Sequence, residues 1–220
     1  MDLAARRLVV FDWDGTLCDS MSGIIATARS VLLEWGIAEE DLGDLTRLVG
    51  PPFPQAYSQV YGLSEADAAE VTRRYRARYE EGAGAGWPLF EGIPDMLEVL
   101  HAHGKLVAIA SSKRHDLVMR QVRDNGLAEV FDAICGKLAD TGDSKEAAIL
   151  RAVEQTGCSV DDTVMVGDRD LDVIAAGHVG IPCVGVLWGR TAPRTELEDA
   201  HAAAVADTVA DLEALLTASI

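Results

Sequence analysis

Lysine is scarce in this chain: there are four, at 105, 113, 137 and 145, and none between Ser20 and Phe90. Cationic side chains number 19 against 36 acidic ones, a formal net charge of −17. That balance argues against a nucleic-acid or anionic-membrane partner held by long-range field. A small anion stays possible, because beyond roughly 8 Å the global charge is screened at physiological salt. Cysteine is equally sparse. Cys18, Cys135, Cys158 and Cys183 form no C-x-x-C pair and no closely spaced framework, which argues against a zinc site or disulfide scaffold and for a reducing, cytoplasmic setting. The five histidines show no ligand spacing and read as surface or helix residues. No apolar run suits a signal-peptide core or a membrane span, and the N-terminal MDLAARRLVVFDWD enters its first strand within a few residues. The chain is therefore expected to be soluble and unprocessed.

What is present is a set of short, continuously apolar runs: LVVF at 8–11, LVAIA at 106–110, DAIC at 132–135, TVMVG at 163–167 and CVGVL at 183–187. Strands buried on both faces of a parallel sheet read this way, whereas half-exposed strands alternate. Helical stretches lie between them. Gly92-Ile93-Pro94 opens one that runs to about His103. Ser144 caps another that Gly157 should stop. Asp170–Ala176 and Asp207–Ala218 are two more. Alternating strands and helices predict an α/β fold with a doubly wound, five-stranded parallel sheet, which binds ligands at the carboxyl ends of its strands.

The interval 20–87 breaks the alternation. It has no strand signal, an amphipathic stretch at 22–35 and a charged helical one from Ser64 to Glu81. It reads as a helical insert, giving a core of residues 1–19 and 88–220 and a small domain of residues 20–87. The chain leaves the insert through Gly82-Ala83-Gly84-Ala85-Gly86, expected to act as a hinge.

Chemistry concentrates at strand ends. FDWDGTLCDS places Asp12 and Asp14 directly after the first strand, where two like charges repel unless a divalent cation or a shared proton offsets them. The fourth strand ends in Gly167-Asp168-Arg169-Asp170-Leu171-Asp172, with Asp172 one helical turn beyond Asp168. Such an oxygen-only set suits Mg²⁺, and Asp170 reads as a helix-start carboxylate. Ser111, in a polar loop after the second strand with Ser112 and Lys113, can donate a hydroxyl to a phosphate oxygen. Lys145 starts a helix, where a cation opposes the dipole and so calls for a local anion.

The D-x-D-G-T-L run at 12–17, Ser111, Lys145 and the G-D-x-x-x-D run at 167–172 resemble, in order and spacing, the four motifs of the haloacid dehalogenase-like hydrolases. The insert is similar to the helical cap of phosphoglycolate phosphatase-like members. The resemblance implies strand order 3-2-1-4-5 and a phosphatase. Asp12 would be the nucleophile and Asp14 the general acid and base, while Ser111, Ser112 and Lys145 would hold the phosphoryl group. Mg²⁺ would lie on Asp12, the Asp14 carbonyl and Asp168, with Asp172 in direct or indirect support. Arg47 and Gly50 are the cap residues expected to meet substrate. Asp14 argues against dehalogenases, which lack it, and the lysine-free insert argues against phosphonatases. The substrate is expected to be a small phosphorylated metabolite, 2-phosphoglycolate first, then nucleoside monophosphates, sugar phosphates and pyrophosphate. No nucleic acid or membrane partner is expected, and the protein would be a monomer or homodimer.

Overall fold

A computed structural model describes residues 2–81, 87–139 and 142–218. Residues 82–86, the expected hinge, lie outside the described residues. The chain divides into two compact units, Met1–Asp19 with Pro88–Ile220, and Ser20–Trp87.

The larger unit is a parallel sheet of β1 (Leu8–Phe11), β2 (Leu106–Arg114), β3 (Ala133–Lys137), β4 (Thr163–Gly167), β5 (Cys183–Val186) and β6 (Ala204–Ala206). The strands run in the order β3-β2-β1-β4-β5-β6. The five expected strands are in the expected order, and β6 extends the sheet at one edge. Its Ala-Val-Ala core is too short and too weak in β propensity to signal a strand, and it forms by pairing with β5. The second correction concerns Ser111–Lys113, expected in a loop. They continue β2 beyond its last pair with β1, Ile109 opposite Phe11, and reach Arg114 opposite Lys137 on β3 through a register shift. Three polar residues do not read as strand in sequence; pairing with β3 keeps them extended.

The helices of this unit are, with those of the insert counted first in chain order, α4 (Ile93–Ala102), α5 (His115–Asp124), α6 (Lys145–Thr156), α7 (Asp170–His178), α8 (Arg194–Asp199) and α9 (Val209–Thr217). Ser144 caps α6 as expected, accepting a hydrogen bond from the Ala147 N–H at 3.3 Å, and Gly157 ends it with φ of 67°. α5 was not foreseen, and the structure buries its Leu117, Val118 and Val122. Leu8 and Val10 of β1, with Ala108 and Ala110 of β2, pack against Ala148, Ile149 and Ala152 of α6. The alanines let α6 lie close to the sheet, which fixes its first residue, Lys145, near the strand ends.

The smaller unit is helical: α1 (Met21–Trp35), α2 (Gln55–Tyr61), α3 (Glu65–Glu81) and short 3-10 turns at Glu39–Asp41 and Leu45–Leu48. An aromatic row forms part of its core, with ring centroids 4.8 Å apart for Phe53 and Tyr57, 5.2 Å for Tyr75 and Tyr79, and 4.4 Å for Tyr79 and Trp87.

Candidate active site

Between β1 and β4 the strand order changes direction, and the two neighbouring strands end in the acidic motifs. The Asp12 N–H donates to the Val166 carbonyl at 2.9 Å, so Asp12 continues the ladder beside Gly167 and Asp168. Gly167 has a steric reason. A Cβ there would lie 2.3 Å from Asp172 Cγ, so only glycine lets the first turn of α7 fold back on the strand end.

That fold-back commits Asp172. Its Oδ2 accepts from the Asp168 and Arg169 N–H groups, both at 3.1 Å, and its Oδ1 lies 2.5 Å from Lys145 Nζ. Lys145 Nζ also lies 2.9 Å from Asp12 Oδ1, with all three side chains largely buried. The helix-start cation thus has its local anions. Burial pulls the Lys145 ammonium down in pKa, but Asp12 and Asp172 outweigh it and the net shift is upward.

Asp12, Asp168 and Asp172 each place one carboxylate oxygen within 4.8 Å of the others. Burial pushes the Asp12 carboxyl up to about 6, more than Lys145 lowers it, and the neighbouring Asp172 adds to the rise. Asp168 is pushed up to about 8 by burial, then by Asp172 and Asp12. Asp168 Oδ1 accepts from Thr16 Oγ1 at 2.9 Å. Asp168 Oδ2 is buried with no hydrogen-bond partner among the described residues. An unsatisfied buried carboxylate oxygen in an oxygen-only cluster fits a hard divalent cation. Both Asp172 oxygens have partners here, two backbone amides on one and Lys145 on the other.

Ser111 is buried and accepts from the Lys113 N–H at 3.3 Å, and Ser112 is half-buried beside it. Asp14 is held by Lys113, whose Nζ lies 2.6 Å from Oδ1 and 2.9 Å from Oδ2. Asp170 stands apart: its N–H donates to Glu196 Oε1 at 3.3 Å, in line with a helix-start role. In the helical unit Arg47 is exposed, and Gly50 has φ of 102°. The structure thus brings together Asp12, Lys145, Asp168 and Asp172. Two contributors had gone unassigned. Lys113 had a signal, since the scarcity of lysine that singled out Lys145 applies to it equally. Thr16, within D-x-D-G-T-L, is recognisable only once β1 and β4 are known to be adjacent.

The family described as haloacid dehalogenase-like hydrolase matches residues 9–186 of this chain. A 5'-nucleotidase of Pseudomonas aeruginosa is 35% identical over 182 residues, 82% of each chain. The tyrosine-protein kinase PtkA of Mycobacterium tuberculosis is 38% identical over 186 residues, 83% of this chain but 62% of that protein. A phosphoglycolate phosphatase of Agrobacterium fabrum is 31% identical over 199 residues, 87% of this chain and 85% of that one. Among solved structures, that of a predicted phosphatase from Clostridium acetobutylicum superposes with a TM-score of 0.88 at 32% identity, covering 94% of this chain and 96% of that one.

Proposed function

Because this chain belongs to the haloacid dehalogenase-like hydrolases, and to the phosphatases among them, we propose that it hydrolyses a small phosphomonoester through an aspartyl-phosphate on Asp12. The observation that carries this reading is the buried Asp12, with Lys145 Nζ at 2.9 Å and the Asp168 carboxylate beside it at the ends of β1 and β4.

In this mechanism an Asp12 oxygen attacks phosphorus, the ester P–O bond breaks, and Asp14 gives a proton to the departing alkoxide. Asp14 then takes a proton from water, which attacks the same phosphorus, releases phosphate and restores Asp12. Ser111, Ser112 and Lys145 hold the phosphoryl oxygens, and Lys145 tempers the repulsion between Asp12 and an anionic substrate. Asp12, the Asp14 carbonyl and Asp168 would hold Mg²⁺, which when bound supplies positive charge against the transferring phosphoryl group.

Carboxyls whose folded pKa is raised bind more protons folded than unfolded, so they weaken the ion-free protein as pH rises from about 4 toward 8. Mg²⁺ at about 100 times its Kd should add ~2.7 kcal/mol, or about 5–10 °C in Tm, with the larger gain at pH 8, where fewer protons need displacing than at pH 6. Asp168→Ala should abolish the gain and Asp170→Ala should keep it. Equal gains in the two variants would place the ion elsewhere.

For the substrate, 2-phosphoglycolate is the leading candidate, supported by the cap resemblance and by the phosphoglycolate phosphatase relative; the 5'-nucleotidase relative makes nucleoside monophosphates the alternative. Arg47 is assigned to a substrate carboxylate or second phosphate. Phosphate release should be measured across a few dozen phosphomonoesters with Mg²⁺, with Arg47→Ala alongside. The variant should lose about tenfold in kcat/KM on 2-phosphoglycolate, on the order of 1.4 kcal/mol, and little on an aryl phosphate. A nucleotide preference would replace the leading candidate, and parallel losses would remove Arg47 from recognition.

A further inference from the structure

We infer that Lys113 is the positioning residue for Asp14: its ammonium clamps both carboxylate oxygens and so aims the group that moves the proton. The inference rests on the reading of Asp14 as general acid and base.

Lys113 Nζ lies 2.6 and 2.9 Å from the two Asp14 oxygens, with the side chains 8% and 16% exposed. An exposed lysine in so acidic a chain has many partners to choose from. This one is withdrawn from solvent onto the Asp14 carboxylate, two residues from Asp12. Two features build the contact into the fold. The continuation of β2 beyond Ile109 carries Lys113 past the end of β1, to where Asp14 follows Asp12. On the other side, Gly136 of β3 admits the backbone of that continuation. A Cβ on Gly136 would lie 2.5 Å from His115 Cα and 2.8 Å from the Lys113 carbonyl oxygen. The Lys113 N–H in turn donates to Ser111 Oγ at 3.3 Å, so one short segment orients both the phosphate-binding hydroxyl and the ammonium.

The chemistry makes such a clamp useful. Carboxyl rotation about its terminal bond is otherwise broad. Proton transfer needs the heavy atoms within roughly 2.6–3.2 Å, and a displacement of about 1 Å costs on the order of 10²-fold. Each Asp14 oxygen has two lone pairs, so one oxygen can carry the proton while the other keeps the lysine. The proton that reaches the leaving alkoxide comes from Asp14; Lys113 transfers none.

The test compares Lys113→Met, Asp14→Asn and the double variant on an alkyl phosphate and on p-nitrophenyl phosphate, whose good leaving group needs no proton. Lys113→Met should lower kcat/KM on the alkyl ester about tenfold, a fraction of the ~10²-fold given by lost acid–base help, and change kcat/KM on the aryl ester less than about threefold; kcat/KM reads the first transfer, before Asp14 acts on water. In the double variant the loss should equal that of Asp14→Asn alone, and Lys113→Arg should recover part of kcat/KM. The alkyl-to-aryl ratio is read on one preparation, so partial unfolding cancels. Equal losses on both esters, a raised KM with kcat intact, or losses that multiply in the double variant would overturn the inference; the second would make Lys113 a substrate-binding cation. If Asp14→Asn itself shows no difference between the esters, the acid–base reading fails first. If it does and Lys113→Met does not, only the inference about Lys113 falls.

Discussion

Asp12→Asn is expected to leave less than about a hundredth of the wild-type rate on any phosphomonoester, because the amide keeps the side chain's shape but cannot form the acyl-phosphate. The structure adds a second expectation. Asp12 is buried, and its carboxyl is pushed up to about 6, so its charged form opposes folding at neutral pH. Replacing it with a neutral amide removes one of three crowded carboxylates. The inactive variant should therefore match or exceed the wild type in Tm when both are measured without metal at pH 8. Loss of activity accompanied by a large fall in Tm would mean that Asp12 holds the fold together, and the nucleophile assignment would lose its support. Retention of more than about a hundredth of the rate would sink it directly.

Lys145→Met is expected to cost both activity and stability. Its buried ammonium lies between Asp12 and Asp172, 2.9 and 2.5 Å away, and methionine fills similar space without the charge. Removing one partner of a buried ionic cluster leaves the others uncompensated, at a typical cost of about 3–5 kcal/mol, on the order of 10 °C in Tm for a chain of this size. Turnover should fall at least ~10²-fold, as when a preorganised donor to the transition state is lost. The pH dependence separates charge from packing. Without Lys145 the Asp12 carboxyl rises further in pKa and the folded state binds more protons, so the deficit in stability relative to wild type should be large at pH 8 and small near pH 5.5. Thermal melts at the two pH values check this. A deficit equal at both would assign Lys145 to packing.

The acidic motifs were legible in the sequence because each follows a continuous apolar run, and a strand end followed by closely spaced aspartates has few structural uses. Lys145 was legible because a cation at a helix start needs an anion. The order of five strands followed from the resemblance in motif order, and the alternation of strand and helix had already pointed to a parallel sheet. Neither β6 nor the polar continuation of β2 was legible, since both are held by strand pairing and not by the preferences of their own residues.

By itself the sequence determined the α/β class, the helical character of residues 20–81 and the acidic motifs at the strand ends, because periodicity and strand-end motifs are local properties. Tertiary structure alone decided which of those side chains meet. Asp172 spends one oxygen on two backbone amides and the other on Lys145, while Asp168 Oδ2 has no hydrogen-bond partner among the described residues. Asp14 is bound to Lys113, 99 positions away. These are contacts between strand ends brought side by side by the order of the sheet, and hydrogen bonds and charge pairs between them depend on distances that no local pattern encodes.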